Sequence, residues 1–241
     1  MFRVKITLSY DGSDYYGSQI QPDKVTIHSK VLDVFKVLNI DSSLDFSGRT
    51  DKGVHAFRQT ISCDIPDFWD NIKLLKSRMN KLLPNSIFVR DITKAKEDFH
   101  SRFSAKQREY RYLITNKRLN PFNSKYVTYY EDINPKRIKE AIDLFIGIHD
   151  FEYFSKKGSE PVSTTREIYD IKFYKYKDIY VLNFKANSYL RSQIRMMVDF
   201  IMKISSNKLS NEDLINQLTK QKLISWTLAP ANGLYLSKIF Y

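Results

Sequence analysis

The sequence predicts an α+β protein made of two mixed halves, each with mainly antiparallel sheet. Three observations lead there. Several stretches alternate apolar and polar residues, others carry apolar residues three and four apart, and the same order of strands and helices runs through both halves of the 241 residues. Each half then has the composition of a split β-α-β-β-α-β unit, so the expectation is two RRM- or ferredoxin-like domains. The polar HSRFSAK (100–106) marks the boundary, giving domains 1–104 and 105–241.

Phe2, Val4, Ile6 and Leu8 share one face of a strand over 2–9, with Arg3, Lys5, Thr7 and Ser9 on the other. The polar and aromatic YDGSDYYGSQIQP (10–22) is a loop. Thr26 caps a helix whose Ile27, Val31, Val34, Phe35 and Leu38 recur at helical spacing. A strand is expected over 54–65, then a helix with Ile72, Leu75, Met79 and Leu82 on one face and Pro84 beyond its end, then a strand over 86–92.

The second half opens with QREYRYLIT (107–115), which alternates as a strand. Pro135 and Gly147 bracket a helix, proline suiting the first turn and glycine the end. A hairpin over 167–186 turns near Lys177 and Asp178. A helix over 189–205 points Leu190, Ile194, Met197, Val198 and Ile201 inward. A short helix (211–220) and a final strand (233–241) close the chain.

Composition narrows the function. A hydrophobic fraction of 42% supports a core, and no run of about 18 apolar residues suggests a transmembrane helix. The start lacks the layout of a signal peptide. One cysteine, Cys63, excludes an internal disulfide, and four scattered histidines make no metal-ligand spacing. The expectation is a cytoplasmic protein without structural metal. Its 39 Lys and Arg against 27 Asp and Glu leave a formal charge of +12, which fits either a polyanionic partner or simple solubility. The 14% aromatic content favours nucleic acid, since basic grooves lined with stacking rings bind single strands.

Average usage of about 7% would give roughly 17 glycines. This chain has seven, and two of them bracket GRTDKG (48–53). An isolated segment of that form is most often a tight turn capped by its Asp. It is not a P-loop, because Val54 follows the second glycine. Such a turn can present Asp51 at the rim of a sheet with Arg49 two residues away, and a carboxylate beside an arginine stays ionised. That suits a nucleophile or an electrostatic partner and is poor for a general acid. Asp11 and Asp14, in the other glycine loop, read as turn residues. A serine elbow and the clustered acids of a two-metal nuclease are both missing. Tyr110 and Tyr112 share a strand face, Tyr112 as a core residue and Tyr110 as a candidate stacking ring among Arg102, Lys106 and Arg108. Arg191 and Arg195, one helical turn apart beside an apolar stripe, ask for an anion or lie on a solvated stripe.

Five ordered blocks, YDGSDYYGSQIQ, GRTDKGVHA, FHSRFSAKQREYRY, ANSYLRSQIRMMV and GLYL, resemble those of the tRNA pseudouridine synthase A (TruA) family across nearly the whole chain. The resemblance implies isomerisation of uridine to pseudouridine at positions 38, 39 and 40 of the tRNA anticodon stem-loop, without cofactor or metal. It also implies two α+β domains flanking a basic cleft, in a homodimer. Block by block, it makes Asp51 the nucleophile, Arg49 a residue that displaces the base, Tyr110 the ring against the target uracil, and Arg195 the ion-pair partner of Asp51. The chain departs from the family pattern at Ser18 (often Trp), Lys52 (usually Ala), Asp199 (commonly Gly) and Arg191-Ser192-Gln193. A non-catalytic RNA binder on the same scaffold is the competing reading, but it has no use for an ionised Asp beside an Arg in a glycine-bracketed turn.

Overall fold

The computed structural model describes residues 1–158 and 162–241 as a mixed α+β chain with mostly antiparallel strands. Two compact units emerge: Met1–Lys106 with Tyr235–Tyr241, and Gln107–Leu234.

In the first unit, β1 (Phe2–Tyr10) buries Val4, Ile6 and Leu8 completely, as its alternation requires. Next, α1 (Ile27–Val37) starts at Thr26 in a capping box with Ser29, and buries Ile27, Val31, Val34 and Phe35. A two-residue strand, β2 (Asp45–Phe46), pairs with β3 (His55–Ile65). Arg3 fixes it from β1, reaching Asp45 at 3.0 Å and Asp64 at 3.1 Å. Helix α2 (Ile72–Leu82), capped by Asn71, packs on β4 (Ile87–Lys94). Both β3 and β4 flank β1 antiparallel.

In the second unit, β5 (Gln107–Thr115) carries the two-residue β6 (Thr128–Tyr129) parallel beside it. The next helix, α3 (Pro135–Asp143), has proline in its first turn and an Asn134 cap. It ends four residues before Gly147, so this glycine is not its terminator. With φ at +109°, Gly147 instead opens a strand, β7 (Gly147–Asp150). The hairpin is β8 (Thr165–Tyr176) and β9 (Ile179–Ala186), turning through Lys177 at φ +53°. The strand order in this unit is β5-β9-β8-β7.

Helix α4 (Gln193–Ser205) starts later than the apolar spacing suggests. Ser192 takes a left-handed conformation (φ +59°), which halts the helix while Leu190 remains buried ahead of it. Arg191 therefore precedes the helix, and the expected pairing of Arg191 with Arg195 along one helical face does not form. A last helix, α5 (Asn211–Leu218), begins with a Ser210–Asp213 capping box. The final strand, β10 (Leu234–Phe240), joins the first unit from Tyr235 onward, because Tyr235 and Leu236 pair parallel with His55 and Ala56 of β3. A division after residue 104 would have left that strand with the second half.

Candidate active site

In the first unit the loop after β1 and the loop before β3 are bolted together. The Ser18 backbone N–H donates to Thr50 O (3.1 Å), and the Thr50 N–H donates back to Ser18 Oγ (2.8 Å). Ser18 is wholly buried, so its hydroxyl is a structural acceptor and not a surface contact. The Tyr10 hydroxyl meets Thr50 Oγ1 at 2.9 Å. Two glycines permit this approach. A Cβ on Gly12 would lie 2.0 Å from Val54 O, and one on Gly17 would lie 2.5 Å from Thr50 O. Gly17 also has φ at +91°, where L side chains are strained.

The Asp51 turn closes on itself, with the Val54 N–H donating to Asp51 O (3.1 Å) and Gly53 at φ +79°. Upstream, fully buried Gln59 takes the Ser47 hydroxyl on Oε1 and donates from Nε2 to Gly48 O (2.8 Å). Asp51 is thus half-buried at the first position of this turn, directly after a stretch (Gly48 to Thr50) held by Gln59 and Ser18. Arg49 is exposed, and among the described residues no ion pair joins it to Asp51. Neighbouring Lys52 reaches back instead, its ammonium 4.2 Å from the centre of the Tyr16 ring.

Asp11 behaves as a turn residue, its Oδ1 accepting from the Ser13 N–H (2.9 Å) and hydroxyl (2.7 Å). His55 is buried, and its Nδ1 accepts the Gly12 N–H at 3.1 Å. Asp11 Oδ1 is also 3.1 Å from that nitrogen. The imidazole thus has a backbone N–H and a carboxylate oxygen beside one ring nitrogen. It stacks on Tyr235, which stacks in turn on Phe57, both at 4.7 Å.

In the second unit, β5 presents Tyr110 and Tyr112 on one face, both buried. Tyr110 meets Tyr189 edge to face, with ring centres 5.3 Å apart. Burial, and then nearby Tyr110, raise the Tyr189 phenol well above its ordinary pKa. Tyr112 is core: its hydroxyl donates to Pro230 O (2.7 Å) and meets Thr128 Oγ1 (2.9 Å). Burial, followed by the neighbouring Tyr130, raises its phenol likewise.

Arg195, half-buried on α4, is gripped by the same segment. Its Nε donates to Ala229 O (2.7 Å), and the Ala229 N–H donates to Arg195 O (3.0 Å). Its charge lies near enough to Tyr112 and Tyr130 to favour their ionised forms, against the larger effect of burial. Asn232 holds the rest of the segment, donating to Ser124 O (2.8 Å) and Val127 O (3.0 Å). Asp199 takes the Lys203 ammonium at 2.8 Å and the Thr227 hydroxyl, so it pins the 225–227 stretch to α4.

The four residues singled out in the sequence thus divide evenly: Asp51 and Arg49 in the first unit, Tyr110 and Arg195 in the second. The supports Thr50, Ala229 and Asn232 lack a sequence signal of their own, and Ser18 shows only as a departure from the family pattern, because their partners are distant in the chain. Among the described residues no cluster of three or more His, Cys, Asp or Glu could hold a metal, and no helix is long and apolar enough to cross a membrane.

The family described as tRNA pseudouridine synthase matches residues 141–241. Relatives match at full length. The protein named tRNA pseudouridine synthase A of Campylobacter jejuni subsp. jejuni serotype O:2 is 38% identical over 241 residues, covering 100% of both chains. The Wolinella succinogenes protein of that name is 38% identical, across 97% of this chain and 92% of its own. The one from Limosilactobacillus reuteri is 34% identical, across 100% and 97%. With identity of this order along the whole chain, spanning the Asp51 turn, β5 and α4 alike, the chain belongs to the tRNA pseudouridine synthase A family of isomerases.

Proposed function

We propose that this protein converts uridine to pseudouridine at positions 38, 39 and 40 of the tRNA anticodon stem-loop, with Asp51 as nucleophile. Breaking the C1′–N1 bond, turning the freed uracil and joining C5 to C1′ leaves one proton to depart from C5. Attack of Asp51 at C1′, attack at C6, or a glycal path all satisfy that balance. The base must leave its stack first, at a few kcal/mol. Arg49 is proposed to displace it, and its exposed side chain, unpaired among the described residues, supports that reading. Tyr110 is proposed as the ring against the uracil, and Arg195 as the cation that keeps Asp51 ionised, since a buried unpaired carboxylate is costly. Two ferredoxin-like domains, a homodimer and a cytoplasmic location belong to the same proposal. In the first unit the order β4-β1-β3, with β2 on β3, supports the domain type.

The observation that carries the proposal is the locked Asp51 turn, in which buried bonds and two Cβ-free positions hold the backbone that bears a half-buried carboxylate. The test is tritium release from tRNA labelled at C5 of uridine. Asp51→Asn and Asp51→Ala should abolish release while tRNA binding survives, and wild-type-like release from Asp51→Ala would sink the proposal. Mapping pseudouridine in tRNA from cells lacking the protein tests the positions.

A further inference from the structure

We propose that Lys24 and Lys52, held over the ring of Tyr16, form a clamp for two successive phosphodiesters of the RNA strand beside the uridine that Asp51 acts on. The clamp rests on the tRNA-modifying function proposed above, and it names a contact that the function does not require.

Tyr16 is 39% exposed, between chain neighbours Tyr15 and Gly17 that are both buried. Its backbone is fixed: its N–H donates to Val25 O (3.0 Å), and Gln21 Nε2 donates to its carbonyl (2.7 Å). On one side Tyr15 is tied to Ser86 Oγ (2.6 Å), and on the other Gly17 rests against Thr50 O. The ring is therefore presented to solvent from a rigid base joined to the Asp51 turn.

Two ammonium groups converge on it. Lys52 Nζ lies 4.2 Å from the ring centre and Lys24 Nζ 4.8 Å, so the two charges are no more than about 9 Å apart. Both side chains are exposed, and among the described residues neither makes an ion pair. The electron-rich ring face attracts each cation only modestly at an exposed site, and the two cations repel one another. An anion completes the arrangement. Lysine suits this as a compact charge with three donors, and the ring restrains a stem that would otherwise lose rotamer freedom on binding. Because Lys52 follows Asp51 directly, the anion it meets must lie next to the reacting nucleotide, and in RNA that anion is a backbone phosphate.

The test is the salt dependence of affinity for an unmodified tRNA transcript, measured by fluorescence anisotropy. Removing one lysine–phosphate contact lowers the slope of log K against log salt by about 1. Lys24→Gln and Lys52→Gln should each do so, and the double variant should lose about 2. A slope lower by 1 shrinks the change in affinity between 50 and 200 mM salt about fourfold. Lys139→Gln, an exposed lysine of α3, serves as the charge control and should keep the wild-type slope. Lys24→Arg and Lys52→Arg should largely restore it, and a thermal melt excludes misfolding. Slopes for the two Gln variants that match wild type and Lys139→Gln overturn the clamp alone, provided the wild-type protein binds tRNA and releases tritium. A wild-type protein that does neither overturns the parent function and the clamp with it.

Discussion

Gly17→Ala tests whether the two glycine loops set the Asp51 carboxylate. A Cβ at residue 17 would sit 2.5 Å from Thr50 O and 3.3 Å from the Asp51 carbonyl carbon. Ordinary contact begins near 3.4 Å, so the Thr50 backbone must retreat by about 0.9 Å. It cannot do so freely, because Thr50 is held by Ser18 Oγ, the Ser18 N–H and the Tyr10 hydroxyl. A φ of +91° adds backbone strain of order 1–3 kcal/mol for alanine. A reacting group displaced by about 1 Å loses on the order of 100-fold in rate, equivalent to about 2.7 kcal/mol of barrier. Single-turnover tritium release at saturating enzyme, well below the melting temperature, isolates that loss from binding. We expect a rate constant about 100-fold lower and a melting temperature several degrees lower. A lowered melting temperature with an unchanged rate constant would show that the contact is merely structural, and refute the claim that it sets Asp51.

Three further outcomes follow from buried groups and caps. Ser18→Ala leaves the Thr50 N–H buried without its acceptor, and should destabilise the protein by about 1–3 kcal/mol in urea melts. Tyr189→Phe should go the other way: its hydroxyl is buried with no hydrogen-bond partner among the described residues, so removing it should raise stability by about 1 kcal/mol, and a fall would refute this reading. Asp213 is held below its ordinary pKa first by the Ser210 backbone N–H and then by the Ser210 hydroxyl. A depressed carboxylate stabilises above its unfolded value and stops doing so as pH falls through the folded one. The deficit of Asp213→Asn, a few tenths of a kcal/mol after solvent screening, should therefore be full above about pH 4 and vanish in stronger acid.

Periodicity made the long elements legible. In α1 the spacing of Ile27, Val31, Val34 and Phe35 agrees with the Thr26 cap, so sequence and structure coincide there. The two-residue strands β2 and β6 have no period to read. Gly147 read as the end of a helix and not as the start of a strand, because its role follows from β8 lying beside it. The beginning of α4 was hidden because Leu190 is buried like a helical residue, while only the Ser192 conformation shows where the helix begins. Of the candidate site, Asp51, Arg49, Tyr110 and Arg195 are proposals drawn from chemistry and family blocks. Their supports could not be drawn that way, since the Ser18 hydroxyl meets Thr50 across 32 residues and the Arg195 guanidinium meets Ala229 across 34.

Those supports explain why so few glycines are placed where they are. Gly12 and Gly17 lie where a Cβ would strike the backbone of the Asp51 turn, and Gly233 lies where one would come within 2.6 Å of Thr128 Oγ1 and 2.9 Å of the Tyr112 ring. Each of these approaches is closed inside its own unit, the first pair beside Asp51 and the last beside the Tyr112–Pro230–Ala229–Arg195 chain of contacts. A glycine in either place adds conformational entropy to the unfolded chain, a penalty of roughly 0.5–1 kcal/mol relative to alanine. What it returns is close main-chain packing around the Asp51 turn and beside the segment that bonds Arg195. Preorganised groups of this kind are what transition-state stabilisation requires, so these are the places where the proposed chemistry asks for rigidity. The departures at Ser18 and Asp199 follow the same logic, as each places a polar side chain on the backbone or hydroxyls of a segment that touches a candidate catalytic residue.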